Sequence, residues 1–300
     1  MSPIFGQGDL ARHKFCQIVL RIEYMRRIFI KAKLADKLII GGSDGFHLSR
    51  VMRAKLGDHI VVADDVGQVG EYEIIGFGIG GSEDGEQGKA QMVESQPYGA
   101  NGAVVELSLV QMLEEWTESP IEVVLAQCLP KGDKLELITQ KATELGVNRI
   151  VPLVSENCVV KYDAKKAKTR QERWQKIANE AGKQCGRTIL PVVEPIQSLK
   201  QWLTEMAAEV QKAEKKICLC MCYENEEQQG IKAFLQAHKS EEVFVFIVGP
   251  EGGFSLAEAH LAQELGVASV SLGNRILRAE TAAIAAAAII QYENGDLGGR

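Results

Sequence analysis

The chain has 300 residues, 46% apolar and 25% charged, a globular balance with ample material for a core. At roughly 150 residues per domain, this length favours two domains. The net charge of −6 argues against a polyanion partner for the surface as a whole. The charge is unevenly spread, however: residues 1–60 hold eleven Lys/Arg against five Asp/Glu, and residues 61–118 hold one against twelve. A basic front segment is compatible with local docking of a polyanion, and equally with a solvated charged face. The seven cysteines are odd in number and lack paired spacing, which excludes a secreted disulfide framework and points to a reducing cytoplasm. The longest apolar run, Ala282 to Ile290, is far short of the ~18 residues of a membrane span. Arg12, Lys14, Arg21, Glu23, Arg26 and Arg27 interrupt every apolar stretch near the start, so no secretory signal is expected there.

Residues 1–24 show no period and read as a leader or extension ahead of Met25. From Ile28 to Gln111 the signals are short strands and turns. Gly45 to Lys55 suggests one short helix, and Asp58–Ala63 and Gly70–Gly76 form an expected hairpin turning at Gly67. Val104–Val110 is a further strand, and a small, mainly antiparallel barrel fits this part. Gly76 to Gly88 reads as an acidic, glycine-rich loop. It contains Gly76-x-Gly78-x-x-Gly81, but the following Ser-Glu-Asp-Gly is a poor helix start and would repel phosphate, so a dinucleotide site is not expected.

From Pro120 strands and helices alternate. Strands are expected at Ile121–Gln127, Arg149–Val154, Thr188–Val193, Ile217–Tyr223, Val243–Val248 and Ala268–Leu272. Helices are expected at Lys134–Leu145, Ala164–Cys185, Leu199–Lys212, Gln228–Ala237, Ser255–Leu265 and Glu280–Tyr292. Ser255 and Glu258 stand at capping-box distance. The alternation predicts an α/β domain with a mostly parallel sheet, whose ligands bind beyond the carboxyl ends of strands. Two strand ends stand out there: Gly249-Pro250-Glu251-Gly252-Gly253, and Gly273-Asn-Arg-Ile276-Leu277-Arg278-Ala-Glu280-Thr-Ala282. Glycines permit close backbone approach, so the pair reads either as two loops gripping one small molecule or as two tight turns. Cys218, Cys220 and Cys222 share one strand face. Without a Cys-x-x-Cys loop they read as core sulfur rather than a zinc site, and no metal is expected.

These two runs, with Lys131-Gly-Asp-Lys134, Gln140–Val147, Glu172-Arg-Trp174, Glu180–Arg187, Met25-Arg-Arg27 and His47–Arg53, resemble the RsmE family of ribosomal RNA uridine-N3 methyltransferases, of the SPOUT class. The likeness covers residues 25–292. It implies an α+β two-domain chain: a PUA-like β-barrel at 25–111 that binds RNA, and an α/β SPOUT domain with a trefoil knot at 112–300. It implies S-adenosylmethionine as cofactor, a homodimer, and as substrate the N3 atom of uridine 1498 of 16S rRNA in the assembled 30S subunit.

The resemblance implies donor contacts at Gly249, Pro250, Glu251, Gly252, Leu272, Gly273, Ile276, Leu277 and Ala282. Arg278 is the candidate for stabilising charge on the reacting base, with Arg187 second. Glu180 or Glu280 would accept the proton or orient an arginine; as bare sequence, both are also ordinary helix-end charges. Arg26, Arg27, Arg50, Arg53, Lys131 and Lys134 are the candidate RNA contacts, each equally readable as a surface charge. The last helix would be a core helix or a subunit contact. One departure stands out: Asn157-Cys158 follows Glu156 where the family usually has Arg and Ser.

Overall fold

A computed structural model describes residues 27–79, 91–93 and 103–299. The leader, Arg26 and Gly81 of the glycine motif lie outside the described residues. The chain divides into two compact units between Thr117 and Glu118. Among the described residues, no helix is long and apolar enough to cross a membrane.

The front unit is a six-stranded mixed sheet. Its strands are β1 (Arg27–Phe29), β2 (Lys37–Ile40), β3 (His59–Ala63), β4 (Val69–Ile79), β5 (Gln91–Val93) and β6 (Ala103–Leu113), in the order β1-β3-β4-β6-β2-β5. The three inner ladders are antiparallel, as expected. The two edge pairs, β1 with β3 and β2 with β5, are parallel. Alternation decides which face is buried: Ile28, Leu38, Ile40, Ile60, Val62, Tyr72, Ile74, Val105 and Leu107 form one core. Tyr72 lies in it with its hydroxyl donating to the Ala35 carbonyl at 2.8 Å, and burial pushes its pKa up to about 12.

The expected β3–β4 hairpin forms. The Asp64 carboxylate accepts the amides of Val66 at 3.0 Å and Gln68 at 2.8 Å, and Gly67 takes φ +85°. Two expectations change. Gly76 to Ile79 belong to β4 rather than to a loop, because β4 shifts register between Ile74 and Gly76 and continues its pairing with β6 to Ile79. The helix expected from Gly45 starts earlier, as α1 (Gly42–Phe46), and continues as a π-helical turn over His47–Val51.

In the rear unit the strands are β7 (Glu122–Cys128), β8 (Arg149–Val154), β9 (Val192–Val193), β10 (Gln197–Ser198), β11 (Ile217–Cys222), β12 (Val243–Val248) and β13 (Ala268–Val270). The helices are α2 (Lys134–Glu144), α3 (Ala164–Cys185), α4 (Leu199–Val210), α5 (Ile231–Ala237), α6 (Leu256–Glu264) and α7 (Ala279–Glu293). Every ladder is parallel, in the order β10-β8-β7-β12-β11-β13, with β9 also on β8. Val123 to Ala126 and Val243 to Val248 are buried without interruption, as strands covered on both faces must be. Helix α2 packs on α3 and α7, while α4 packs on α6. The chain steps from β7 outward to β8 and β10, then returns on the other side to β11 and β12. The order therefore reverses between β7 and β12, and the carboxyl ends of that pair are the expected crevice. The strand expected over Thr188–Val193 is reduced to Val192–Val193, because the amides of Thr188 and Ile189 are taken by the Glu118 carboxylate at 3.0 and 3.1 Å.

Gly45 shows where the front unit tolerates no side chain. A Cβ there would collide with the carbonyl oxygen of Ala103 and stand 2.6 Å from that of Ile40. Both are backbone atoms that cannot swing aside, so Gly45→Ala should cost about 1–3 kcal/mol in chemical denaturation. A denaturation midpoint equal to the parent's would show that α1 is not pressed against β2 and β6.

Candidate active site

Both glycine-rich runs sit at carboxyl ends of strands in the rear sheet. The first, Gly249–Gly253, leaves β12 between the ends of β7 and β11. Phe254 is buried, and its ring would stand 3.1 Å from a Cβ on Gly249, so the loop packs closely over this ring at 249. Gly253 takes φ +65° and donates its amide to Pro250 at 3.0 Å, a tight turn. Underneath, buried Gln127 on β7 donates to the carbonyls of Cys128 at 2.9 Å and of Val248 and Gly249, each at 3.3 Å.

The turn after β8 is fastened to this loop from the side. The Asn157 side-chain amide donates to the Gly252 carbonyl at 3.0 Å and the Gly253 carbonyl at 3.2 Å. The expected capping box of α6 is present, and the Glu258 carboxylate does a second task there. One oxygen accepts the Ser255 amide at 2.9 Å, and the other accepts the Glu156 amide at 2.8 Å. Buried Cys158 packs its sulfur 3.2 Å from the Ser155 hydroxyl. The pair Asn157-Cys158 is therefore an internally consistent turn: one residue grips the neighbouring loop and the other fills the space beneath.

The second run follows β13. Gly273 takes φ +113°, a conformation that favours glycine, and its amide is accepted by the Ser271 hydroxyl at 3.2 Å. Asn274, Arg275 and Ile276 are exposed, Ile276 to 88%. Leu272, Leu277 and Ala282 are half-buried. Arg278 is exposed at the N-cap position of α7, and among the described residues it has no carboxylate within ion-pair distance.

Lys134 ties the two runs together. Its ammonium lies 2.8 Å from Glu251 of the first loop and 3.1 Å from Glu280 in the first turn of α7. The Lys131 amide reaches both Glu251 oxygens at 3.2 Å. Burial alone would raise both carboxyl groups. The Lys134 ammonium outweighs it at Glu251, and the backbone amide of Glu280 together with Lys134 outweighs it at Glu280, so both are held below the ordinary range. Lys134 is correspondingly raised by its hydrogen bonds to Glu251 and Glu280. Its charge is shared between two carboxylates, and its side chain keeps 30% exposure.

Other sequence-derived candidates are separated from the loops. Arg187 follows α3 and is buried; its guanidinium meets Glu118 at 3.1 Å through Nε and donates to the carbonyls of Thr143 and Val147. Glu118 precedes β7 and Val147 precedes β8, so this cluster lies at the amino ends of the strands, opposite the glycine loops. Glu180 is an exposed residue of α3 near the same end, 3.9 Å from Lys183. Neither is at the carboxyl-end site within this chain. They share a sequence motif with the site residues because the motif holds the fold. In the front unit, Arg27 is also reassigned: its side chain is 7% exposed and paired with Glu115 at 2.7 Å. Arg50 and Arg53 are exposed on and just after the π-turn, Arg53 at φ +51°. Cys218, Cys220 and Cys222 are buried along β11, and burial raises all three thiols, Cys218 and Cys222 to about 12; they are core sulfur.

Residues 117–291 match the model of the RNA methyltransferase domain family. The chain is 33% identical over 278 residues to ribosomal RNA small subunit methyltransferase E of Bacillus subtilis, covering 90% of this chain and 97% of that protein. The chain belongs to the ribosomal RNA small subunit methyltransferase E family. The fold agrees. The crystal structure of the Neisseria gonorrhoeae enzyme of that name, bound to S-adenosylmethionine, superposes with a TM-score of 0.72 at 27% identity, over 91% of this chain and 99% of that one. A methyltransferase of Legionella pneumophila in complex with the same cofactor gives 0.71 at 27% identity, over 91% and 99%. Within this family's fold, three features were not legible in the sequence: the Asn157 clamp, the second task of Glu258 and the Glu118 partner of Arg187. Only the capping-box spacing of Glu258 offered a signal.

Two outcomes follow from the two ends of the sheet. Glu118→Gln should cost about 3–5 kcal/mol, because it takes the carboxylate away from a buried guanidinium; an unfolding curve matching the parent's would contradict that pairing. Lys134→Met should raise the pKa of both Glu251 and Glu280, followed by carboxyl ¹³C shifts. The lowered carboxyl values mean that their contribution is present above the ordinary carboxyl range and lost as pH falls through the folded values. The raised Lys134 value means that its contribution is lost only as pH climbs through that value, so the tie is intact at neutral pH. Carboxyl titrations unmoved by the substitution would show that Lys134 does not bridge the loops.

Proposed function

We propose that this chain transfers a methyl group from S-adenosylmethionine to N3 of uridine 1498 of 16S rRNA in the assembled 30S subunit. The carrying observation is the pair of glycine-rich loops joined through Lys134, with the exposed Arg278 at their junction, which has no carboxylate within ion-pair distance among the described residues. Membership of the family supplies the substrate class, and the cofactor-bound relatives support the donor. The residues fit that donor. Gly249, Gly252 and Gly273 permit close backbone approach with Pro250, Glu251 and Leu272 beside them, and Ile276 and Leu277, with Ala282 in the first turns of α7, offer apolar surface to an adenine or a thioether. The 88% exposure of Ile276, an apolar side chain turned to solvent beside a glycine of positive φ, fits an apolar ligand surface.

A sulfonium donor supplies an already activated methyl group, so no covalent enzyme intermediate is required. The chain must orient the base and stabilise the charge that develops as N3 loses its proton. Arg278 suits that task toward O2 or O4 of the uracil. Glu280 is held ionised and lies in the field of Arg278, so it suits orienting that arginine better than accepting a proton. Arg50 and Arg53, with Lys131, would position phosphate without reading sequence; Arg26 belongs to the same group on its sequence position alone. The same reading includes a PUA-like front barrel, a trefoil-knotted rear domain, a homodimer joined through α7, and action in the cytoplasm, where small subunits are found.

Labelled methyl transfer to undermodified 30S subunits, beside free 16S rRNA and transfer RNA, tests the proposal. Label at uridine N3 in 30S alone is expected; label only in transfer RNA would assign a different substrate. Arg278→Ala should lower turnover about 10²–10³-fold with donor affinity unchanged by calorimetry. An unchanged rate would remove Arg278 from the chemistry.

A further inference from the structure

The segment that leads from the β8 turn into α3 carries Lys161, Lys165, Lys166, Lys168, Arg170 and Arg173 within thirteen residues, in a chain whose net charge is −6. The structure divides these six into two sets. Arg170 and Arg173 turn inward to α2, where Glu136 accepts from them at 3.3 and 2.7 Å and Asp133 pairs with Arg170 at 3.3 Å. Lys161, Lys165, Lys166 and Lys168 are exposed. Among the described residues the first three have no carboxylate within ion-pair distance, and Lys168 has only Glu172 at 4.0 Å, with both side chains mostly in solvent.

Folding does not account for these lysines. The first turn of α3 contains no acidic residue. The amino end of a helix carries partial positive charge, which favours Asp or Glu and disfavours Lys there. The one favourable device is Asp163, whose carboxylate caps the Lys166 amide at 2.8 Å. The half-buried Tyr162 ring then gathers cations, with the Lys166 ammonium 5.5 Å and the Arg170 guanidinium 5.9 Å from its centroid. A local preference broken by Lys165 and Lys166 in the first turn, with Lys161 and Lys168 on either side and only the weak contacts of Lys166 to Tyr162 and Lys168 to Glu172 in return, marks a surface kept for a partner.

Its location gives the partner's chemistry. The segment starts a few residues beyond Asn157 and Glu156, which are bonded to the Gly252–Gly253 loop and to Glu258, so it lies at the same strand ends as the candidate active site. We propose that Lys161, Lys165, Lys166 and Lys168 form a docking surface for the RNA sugar–phosphate backbone beside that site. This deepens, and rests on, the reading that the chain acts on RNA.

The test uses the full chain and a Lys161→Gln/Lys165→Gln/Lys168→Gln variant, which removes charge and keeps helix propensity. Binding to 30S subunits is measured across a salt series, with donor binding followed by calorimetry and stability by thermal unfolding. If three phosphate contacts are lost, the magnitude of the slope of log K against log salt should fall by about 2–3. Donor affinity should be unchanged, and the unfolding midpoint should equal or exceed the parent's. An unchanged salt slope in a variant that still binds donor overturns the docking surface and leaves the methyltransferase reading standing. A lowered unfolding midpoint also overturns it, because the lysines would then be structural. A parent chain that binds donor but no RNA overturns the substrate reading and the docking surface with it.

Discussion

The site depends on one ammonium group. Lys134 stands at the first residue of α2 and meets a carboxylate from each of two strand ends, Glu251 after β12 and Glu280 after β13. Those ends are separated by β11 in the sheet, so nothing in the strand ladder joins their loops directly. Burial alone would raise both carboxyl groups; with Lys134 on each of them both are held below the ordinary range, and the ammonium links the two loops. Arg278, two residues before Glu280, has no carboxylate within ion-pair distance among the described residues, and its charge adds to that of Lys134 in keeping Glu280 ionised.

A second network lies at the opposite end of the sheet. Glu118 receives donors from Arg187, Thr188 and Ile189, while Arg187 also satisfies carbonyls at the end of α2 and before β8. Removing either partner would take the opposite charge away from a buried group, so such pairs fix register and docking more than they add net stability. The division of labour explains why a motif containing Glu180 and Arg187 can accompany the active-site motifs without being part of the site. One set of residues holds the amino ends of the strands, and the other shapes the loops at their carboxyl ends.

How far the sequence could be read follows from the range of each interaction. The rear strands and helices were legible because burial on both faces writes itself as continuous apolar runs such as Val243–Val248, alternating with helices at helical period. The capping box of α6 was legible because its two residues are three positions apart. The hairpin of β3 and β4 was legible from Gly67. Other features were not. The parallel edge pairs of the front sheet join strands distant in sequence. The continuation of β4 past Gly76 depends on a shift of register against β6, and the glycines there look like loop residues when read alone. The partners of Lys134, Arg27 and Arg187 are about 88 to 146 positions or, for Arg187, 69 positions away. A basic residue looks the same in sequence whether its charge is spent or free.

Asn157, in the turn after β8, brings no charge to this edge of the site. In the fold, the asparagine amide spans two carbonyls of the glycine loop, a neutral clamp that keeps the turn after β8 against the turn after β12. The positive charge is not missing from this edge of the molecule; it is found a few residues later, on the exposed lysines that open α3. The clamp is neutral and the cations lie beyond it, so the shape of the glycine loop and the charge of its surroundings are set by different residues.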